Sequence, residues 1–169
     1  MPRILLALPL LLAAALPAAA QITAPGGTPM TEAPRLLDAG EPARIADLIR
    51  AAGYRAVLDT TDRGNPVIDS SAEGANFSIY LTECENGADC WAVHYVSSFT
   101  LTKDADLAVL NDWNTRRTIG QAGLLDARTV QIAHYQTLRH GVSEQNFLYM
   151  FDQWRIALRD YMVHIGFRR

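Results

Sequence analysis

The fold is decided by one stretch of sequence, NFSIYLTECENGADCWAVHYVSSF, which runs from residue 76 to residue 99 and holds both cysteines of the chain. Apolar residues alternate with polar ones on either side of a central turn sequence, ENGAD. Alternation with a period of two is typical of half-buried β-strands, and turn-forming residues between two such runs predict a β-hairpin.

Two registers compete for this hairpin. A two-residue turn at residues 86–87 would set Ile79 against His94 and so mix apolar and polar faces, which a buried sheet does not tolerate. Placing Cys84 opposite Cys90 keeps each face uniform and requires a longer loop. We therefore predict the second register, which pairs Leu81 with Val93, Ile79 with Tyr95, Phe77 with Ser97 and Tyr80 with His94.

The N-terminus has the order of a secretory signal peptide. Arg3 precedes an apolar run over residues 4–16, and Pro17 and three alanines follow, so we predict cleavage after Ala20. The alternative is an uncleaved anchor, but the run is too short to span a bilayer, and Pro9 and Pro17 would interrupt a spanning helix. We expect a periplasmic or secreted protein with no transmembrane segment in the mature chain.

The expected location bears on the two cysteines. Directly opposed residues of an antiparallel pair lie within the range that a disulfide accepts, and an oxidising compartment favours the bond between Cys84 and Cys90. The alternative is a redox-active pair, but the spacing is wider than the Cys-x-x-Cys that lowers a thiol pKa. We predict a structural disulfide.

Composition limits the domain plan and the classes of partner. Residues 21–40 are rich in Pro, Gly and Thr and predict a flexible leader, which leaves residues 41–169 as a single domain. Loss of Arg3 with the signal peptide changes the formal net charge from −3 to −4. Phosphate binding needs an excess of Lys and Arg, so we expect no nucleic-acid partner.

The other elements follow from periodicity and from residues that begin or end helices. We predict helices at residues 41–52 and 104–114, and strands at residues 54–60, 66–70, 116–125 and 129–138. Together with the hairpin and a final helix, these predict an α+β fold in the order α-β-β-β-β-α-β-β-α, with helices flanking an antiparallel sheet.

The final helix has the clearest pattern in the chain. Ser143 is a natural N-cap, and Gly166 closes the helix. Apolar residues recur four and three apart along one face, as expected for a helix lying across the sheet or, alternatively, for one that pairs with another protomer. These residues are Phe147, Phe151, Trp154, Leu158, Tyr161 and Ile165.

No complete catalytic or metal site can be identified from the residues. The sequence has no GxSxG, P-loop or HExxH pattern, and the four histidines, His94, His134, His140 and His164, lack metal-ligand spacing. We therefore predict no catalytic residue, no metal and no cofactor.

Two groups of residues are candidates for binding. Tyr80 and His94 form one pair of the hairpin, and LNDWN places Asn111 and Asn114 around Trp113 near a helix end. Structural roles are favoured for both amides: we expect Asn114 to cap the helix and Asn111 to bond exposed backbone of the sheet.

Several motifs in order resemble the YbjN family, which is described as bacterial sensory transduction regulators. They are GYRAVLD from Gly53, PVI from Pro66, NFSIYLTEC leading to Cys90, LNDWN, and RHGVSEQNF opening the last helix. The resemblance spans residues 41–165. It implies a small α+β domain similar to type III secretion chaperones, whose antiparallel sheets commonly serve protein binding and dimerisation, and it implies no reaction or cofactor.

These observations favour an exported, non-enzymatic module that binds a protein or peptide, with a regulatory or chaperone-like role, and we expect a homodimer. The alternative is a periplasmic binder of a small molecule or envelope component, with Tyr80, His94 and the loop after Cys84 near a pocket. A hydrolase or redox enzyme is a third hypothesis. An enclosed pocket would favour the second hypothesis, and a flat exposed apolar patch would favour the first.

Overall fold

The computed structural model describes residues 35–167 of the 169-residue chain. The predicted signal peptide, residues 1–20, and residues 21–34 of the predicted leader lie outside the described residues. The described part contains three helices, α1 (Pro42–Ala51), α2 (Leu107–Arg116) and α3 (Glu144–His164). Its strands are β1 (Arg55–Thr60), β2 (Pro66–Ala72), β3 (Ala75–Thr82), β4 (Ala92–Thr100), β5 (Gln121–Leu124) and β6 (Thr129–Thr137).

The six strands form one antiparallel sheet in the order β1-β2-β3-β4-β6-β5. The predicted α+β class and the order α-β-β-β-β-α-β-β-α are confirmed. The predicted hairpin register is also confirmed, since Leu81 pairs with Val93 and Tyr80 with His94. A disulfide joins Cys84 to Cys90 at the end of this hairpin.

The helices pack on one face of the sheet, as the apolar pattern of α3 predicts. Phe151 and Trp154 contact Phe77 on β3, with ring centroids 6.1 and 5.7 Å apart. Trp154 also stacks on Tyr95 of β4 at 5.5 Å, and both rings are fully buried. The apolar side of α3 therefore forms the centre of the core and faces the sheet.

The folded domain begins earlier than the predicted boundary at residue 41. Leu37 and Ala39, which we placed in the flexible leader, are fully buried. The backbone of Leu37 exchanges two hydrogen bonds with Val142, just before α3, at 2.8 and 2.9 Å. Because burial and pairing fix this segment, residues 35–40 belong to the domain and the predicted leader extends too far.

Two predicted boundaries around α2 also differ from the structure. The helix begins at Leu107 instead of residue 104, because Asp106 is the N-cap and its Oδ1 accepts a hydrogen bond from the backbone N of Ala108 at 2.8 Å. Strand β5 begins at Gln121 instead of residue 116, because α2 continues to Arg116 and a turn follows it. Gly120 ends that turn at φ +81°, where a Cβ would lie 2.6 Å from Ile132 Cδ1.

Candidate functional site

No helix among residues 35–167 lies on one face of the sheet, and a row of side chains crosses this face. The register places Val67 opposite Tyr80, Tyr80 opposite His94, and His94 opposite Tyr135, so the row extends over β2, β3, β4 and β6. Neighbouring side chains on one face of a sheet lie close enough to contact the same ligand. We call this uncovered side, which also carries Val57, Asp69, Ser78 and Val96, the open face.

Large side chains differ in burial between the two faces. Ile79 and Tyr95 point to the helices and are fully buried, whereas Tyr80 of β3 and Tyr135 of β6 on the open face are 37% and 49% exposed. Val57 on the edge strand β1 is 45% exposed. Aromatic and aliphatic side chains that stay accessible together on one face indicate an interaction surface.

Two shallow grooves cross the open face along β3. One has a volume of about 680 Å³ and begins at the turn between β1 and β2, and the other has about 500 Å³ and reaches Asn76 at the far end of β3. Both are lined by Asp69, Ser78, Tyr80 and Val96. Because they share this lining, we treat them as one feature, the β3 groove.

Polar groups of the open face are held in defined positions. Ser78 Oγ donates a hydrogen bond to Asp69 Oδ1 at 2.7 Å, and the Tyr135 hydroxyl donates to Glu83 Oε1 at 2.7 Å. The bond to Glu83 raises the pKa of Tyr135, and partial burial lowers the pKa of His94. The imidazole of His94 therefore stays neutral near pH 7.

The second strand histidine, His134, lies on the other face of the sheet, opposite Tyr95. Burial, and then the nearby His94, lower the pKa of His134. Its Nε2 is buried and, among residues 35–167, has no hydrogen-bond partner. His94 and His134 are thus separated by the sheet and do not form a common site.

The disulfide loop braces one wall of the β3 groove. Residues 61–63 and Asn65, in the turn between β1 and β2, line that wall, and the loop after Cys84 packs against Gly64 of this turn. A Cβ on Gly87 would lie 2.9 Å from the carbonyl oxygen of Gly64, so the two backbones approach as closely as glycine allows. The loop after Cys84 thus lies behind the groove wall and does not line the groove.

The candidates on α2 lie at the β5 edge of the sheet, away from the β3 groove. Trp113 is buried, and its Nε1 donates to the carbonyl oxygen of Gly120 at 2.7 Å. Asn114 bonds both backbone groups of Ala122, with Nδ2 donating to O at 3.0 Å and Oδ1 accepting from N at 2.7 Å. Trp113 and Asn114 therefore close the edge strand.

The expected roles of the two amides are corrected by this geometry. We expected Asn111 to bond the sheet and Asn114 to cap α2, but Asn114 makes the sheet contacts and Asn111 is exposed on the helix. The reason is that α2 extends to Arg116, so Asn114 lies within its last turn and faces β5. Of the sequence candidates, Tyr80 and His94 lie together at the β3 groove, and Trp113 and Asn114 lie together at the β5 edge.

The described residues of the open face are not grouped as a metal centre or as a hydrogen-bonded pair around His94. Within residues 35–167, no hydrogen bond joins His94 to a carboxylate or hydroxyl group, and no three His, Cys, Asp or Glu side chains are grouped to hold a metal. In the same range no helix is long and apolar enough to cross a membrane. Asp69, Ser78, Val96 and Tyr135 were not among the sequence candidates, although their alternation with buried neighbours places them on the open face.

Comparison with known proteins identifies the family and the fold. The family model for YbjN, described as a putative bacterial sensory transduction regulator, matches residues 41–167. The crystal structure of YbjN, a putative transcription regulator from E. coli, superposes with a TM-score of 0.57 at 13% sequence identity, covering 78% of this chain and 93% of that one. This likeness shows a common fold.

The curated proteins contain no match to this chain. The family match covers the whole sheet and all three helices, including the open face and α2. It also agrees with the sequence resemblance that rests on motifs from Gly53 to the opening of α3. The chain belongs to the YbjN family.

Proposed function

We propose that the chain is an exported, non-enzymatic module that binds a protein or peptide through the open face, with a regulatory or chaperone-like role. The observation that carries this proposal is the contrast between the two faces of the sheet. Three helices cover one face, while the row from Val67 to Tyr135 leaves two tyrosines accessible on the other. Amphipathic aromatic rings of this kind are enriched where proteins bind each other.

Side chains of the domain bond to backbone groups at both edges of the sheet, which favours a partner that binds the open face. At β5, side chains of α2 occupy the outward carbonyl of Gly120 and both outward groups of Ala122. At β1, Arg50 donates to the Ala56 carbonyl at 2.6 Å, and the N–H of Thr60 donates to Asp59 Oδ1 at 2.7 Å. A partner strand would have to displace these bonds, so edge addition is disfavoured.

The shape of the β3 groove favours a polypeptide over a compact small molecule. The groove runs along the strand from Asn76 to Thr82 on the face that is left uncovered by the three helices of the described chain. Small-molecule sites are usually concave and bury most of the ligand surface, whereas this groove offers an elongated floor. A binder of small molecules or envelope components therefore remains the second candidate, supported by Tyr80 and His94 lining the groove.

Export is proposed from the sequence and is consistent with the cysteines. The first 20 residues have the order of a cleaved signal peptide, and the described residues contain a disulfide and no free cysteine. Disulfides of this kind persist in oxidising compartments such as the periplasm. Osmotic-shock fractionation, with mass spectrometry of the mature N-terminus, would test this, because retention in the cytoplasm with residues 1–20 attached contradicts export.

A homodimer is part of the same proposal. Tyr149, Ile156 and Val163 are spaced seven residues apart on the outward side of α3 and are 61%, 38% and 78% exposed. An antiparallel pair of α3 helices related by a two-fold axis at Ile156 would bring Tyr149 of one copy to Val163 of the other. Light scattering of the wild type and of Ile156→Glu tests this contact, since a wild-type monomer would rule it out.

Site-specific photo-crosslinking tests the binding face. A photoreactive phenylalanine analogue replaces Tyr80 in the exported full-length chain, and the matched control carries it at Leu107, which is 63% exposed on α2. We expect a reproducible crosslinked product from position 80 and none of the same mass from position 107. Absence of any product from position 80, or identical products from both positions, would contradict binding at the open face.

A further inference from the structure

Asp69 occupies the middle of the open face. It lies on β2 between Val57 of β1 and Ser78 of β3, and it lines both of the grooves that make up the β3 groove. Its side chain is only partly accessible to solvent. Beside Asp69 in the groove lie Ser78, Tyr80 and Val96, which are small polar, aromatic and aliphatic side chains.

No ion pair among residues 35–167 includes Asp69, and Arg55 lies diagonally across from it on β1. Ser78 Oγ is its hydrogen-bond donor, and across residues 35–167 no Lys, Arg or His nitrogen lies within 4.0 Å of the carboxylate. Covering the groove with a partner would desolvate this charge. Such desolvation is unfavourable unless the partner supplies a cationic group.

The neighbours of Asp69 suit a cationic side chain with apolar flanks. Tyr80 lies diagonally across from Asp69, and its exposed ring can face an ammonium or guanidinium group. Val67 and Val96 supply aliphatic contacts within the same groove. A long cationic side chain places its methylene groups against such surfaces while its charged end reaches a carboxylate.

The end of the groove near Asn76 has the opposite preference. Arg55 lines this end, whereas Asp62 and Arg63 together line the other end, at the turn between β1 and β2. A cation of the partner would meet like charge near Arg55, and it meets a carboxylate in the middle. The groove follows β3 over residues 76–82, a length of about seven extended residues, or roughly 24 Å.

We propose that the β3 groove binds an extended peptide segment of about seven residues whose central side chain is Lys or Arg, paired with Asp69, with apolar side chains on either side. This inference rests on the proposed function and adds the chemical class of the partner. It also predicts position dependence, because the same cation at the end of the segment near Asn76 faces Arg55.

Three synthetic heptapeptides test the proposal against the purified mature protein. The first, acetyl-SVSKSVS-amide, has its lysine at the centre. The second, acetyl-SKSVSVS-amide, has the same composition and moves the lysine towards one end on the same face of the extended peptide as the two valines. The third replaces the central lysine with norleucine. We expect the first peptide to bind about ten-fold more tightly than either of the others in a fluorescence competition assay, as charge-assisted contacts allow.

Two protein variants locate the effect. Asn at position 69 can still accept the Ser78 hydrogen bond, so Asp69→Asn removes the charge and keeps the geometry, and we expect it to abolish the preference for central lysine. Asp104→Asn removes an exposed carboxylate that lines neither part of the groove, so it is the matched control and should retain the preference. Circular dichroism of each variant establishes that it is folded.

The possible outcomes separate this inference from the proposed function. Equal binding of all three peptides by the wild type, or binding of none of them, overturns the cationic preference whether or not any variant folds. The photo-crosslinking result at Tyr80 stands apart from these measurements. If position 80 gives a crosslinked product but the three peptides bind equally, the open face is still the binding face, and the proposal that its partner is cationic is wrong.

Discussion

The side-chain amide of Asn114 pairs with the main chain of Ala122 in the way that a neighbouring strand would. It donates to the carbonyl oxygen at 3.0 Å and accepts from the amide nitrogen at 2.7 Å. Trp113, the residue before it, bonds the carbonyl of Gly120 on the same edge. Helix α2 thus satisfies backbone groups that an open edge would present to another chain.

Replacing Asn114 with Ala should destabilise the protein and expose the β5 edge. Two hydrogen bonds at a partly exposed site correspond to a loss of about 1 kcal/mol in the free energy of unfolding, measured by urea denaturation. The matched control is Asn111→Ala on the same helix, which we expect to change stability by less than about 0.5 kcal/mol. Equal losses in the two variants would show that helix propensity, and not edge pairing, determines the effect.

The hairpin could be predicted because its signals are local. Alternation and the two cysteines select one register over residues 76–99, and both observations lie within 24 residues of sequence. The pairing of β4 with β6 joins residues about 40 positions apart, and no turn between them specifies it. The sheet order, and with it the row from Tyr80 to Tyr135, therefore requires the structure.

Which amide of α2 bonds β5 could not be predicted, for a related reason. The motif LNDWN shows two amides around a buried tryptophan, but which amide faces β5 depends on where the helix ends. The helix begins three residues later and ends two residues later than predicted, and this shift exchanges the roles expected for Asn111 and Asn114. Similarly, Asp69 alternates with buried Ile68 and Ser70, and only the pairing of β2 with β3 places it in the groove.

The contact between Gly87 and Gly64 should make position 87 intolerant of a side chain. Alanine there would take a positive φ of 76° and place its Cβ 2.9 Å from the Gly64 oxygen, so the two turns must separate. Gly53→Ala is a matched control, because Gly53 also has positive φ, at 90°, but has open space around it. The control should lose about 1 kcal/mol and Gly87→Ala distinctly more in thermal or urea unfolding. Similar losses would mean that the loop contact is not needed for stability.

Removing the disulfide should lower stability without unfolding the domain. The bond closes a loop between residues six positions apart, for which chain entropy gives about 2 kcal/mol. We expect Cys84→Ser with Cys90→Ser to unfold at lower urea concentration with an unchanged m-value. Thiol titration of the denatured wild type before and after reduction is the companion measurement, and two thiols before reduction would contradict the bond.

The histidines of the central strands should make the protein less stable in mild acid. Burial lowers the pKa of both His94 and His134, so below the ordinary histidine pKa of about 6.5 the unfolded chain binds more protons than the folded one. Their contribution to stability is complete above that pH and is lost as the pH falls towards the lowered values. Urea unfolding at pH 7.5 and pH 5.0 measures how far the free energy of unfolding falls in acid. We expect a smaller fall for His94→Gln than for the wild type, and the smallest fall for the double variant with His134→Gln. Because the carboxylates are common to all three proteins, identical decreases would mean that these histidines do not cause the pH dependence.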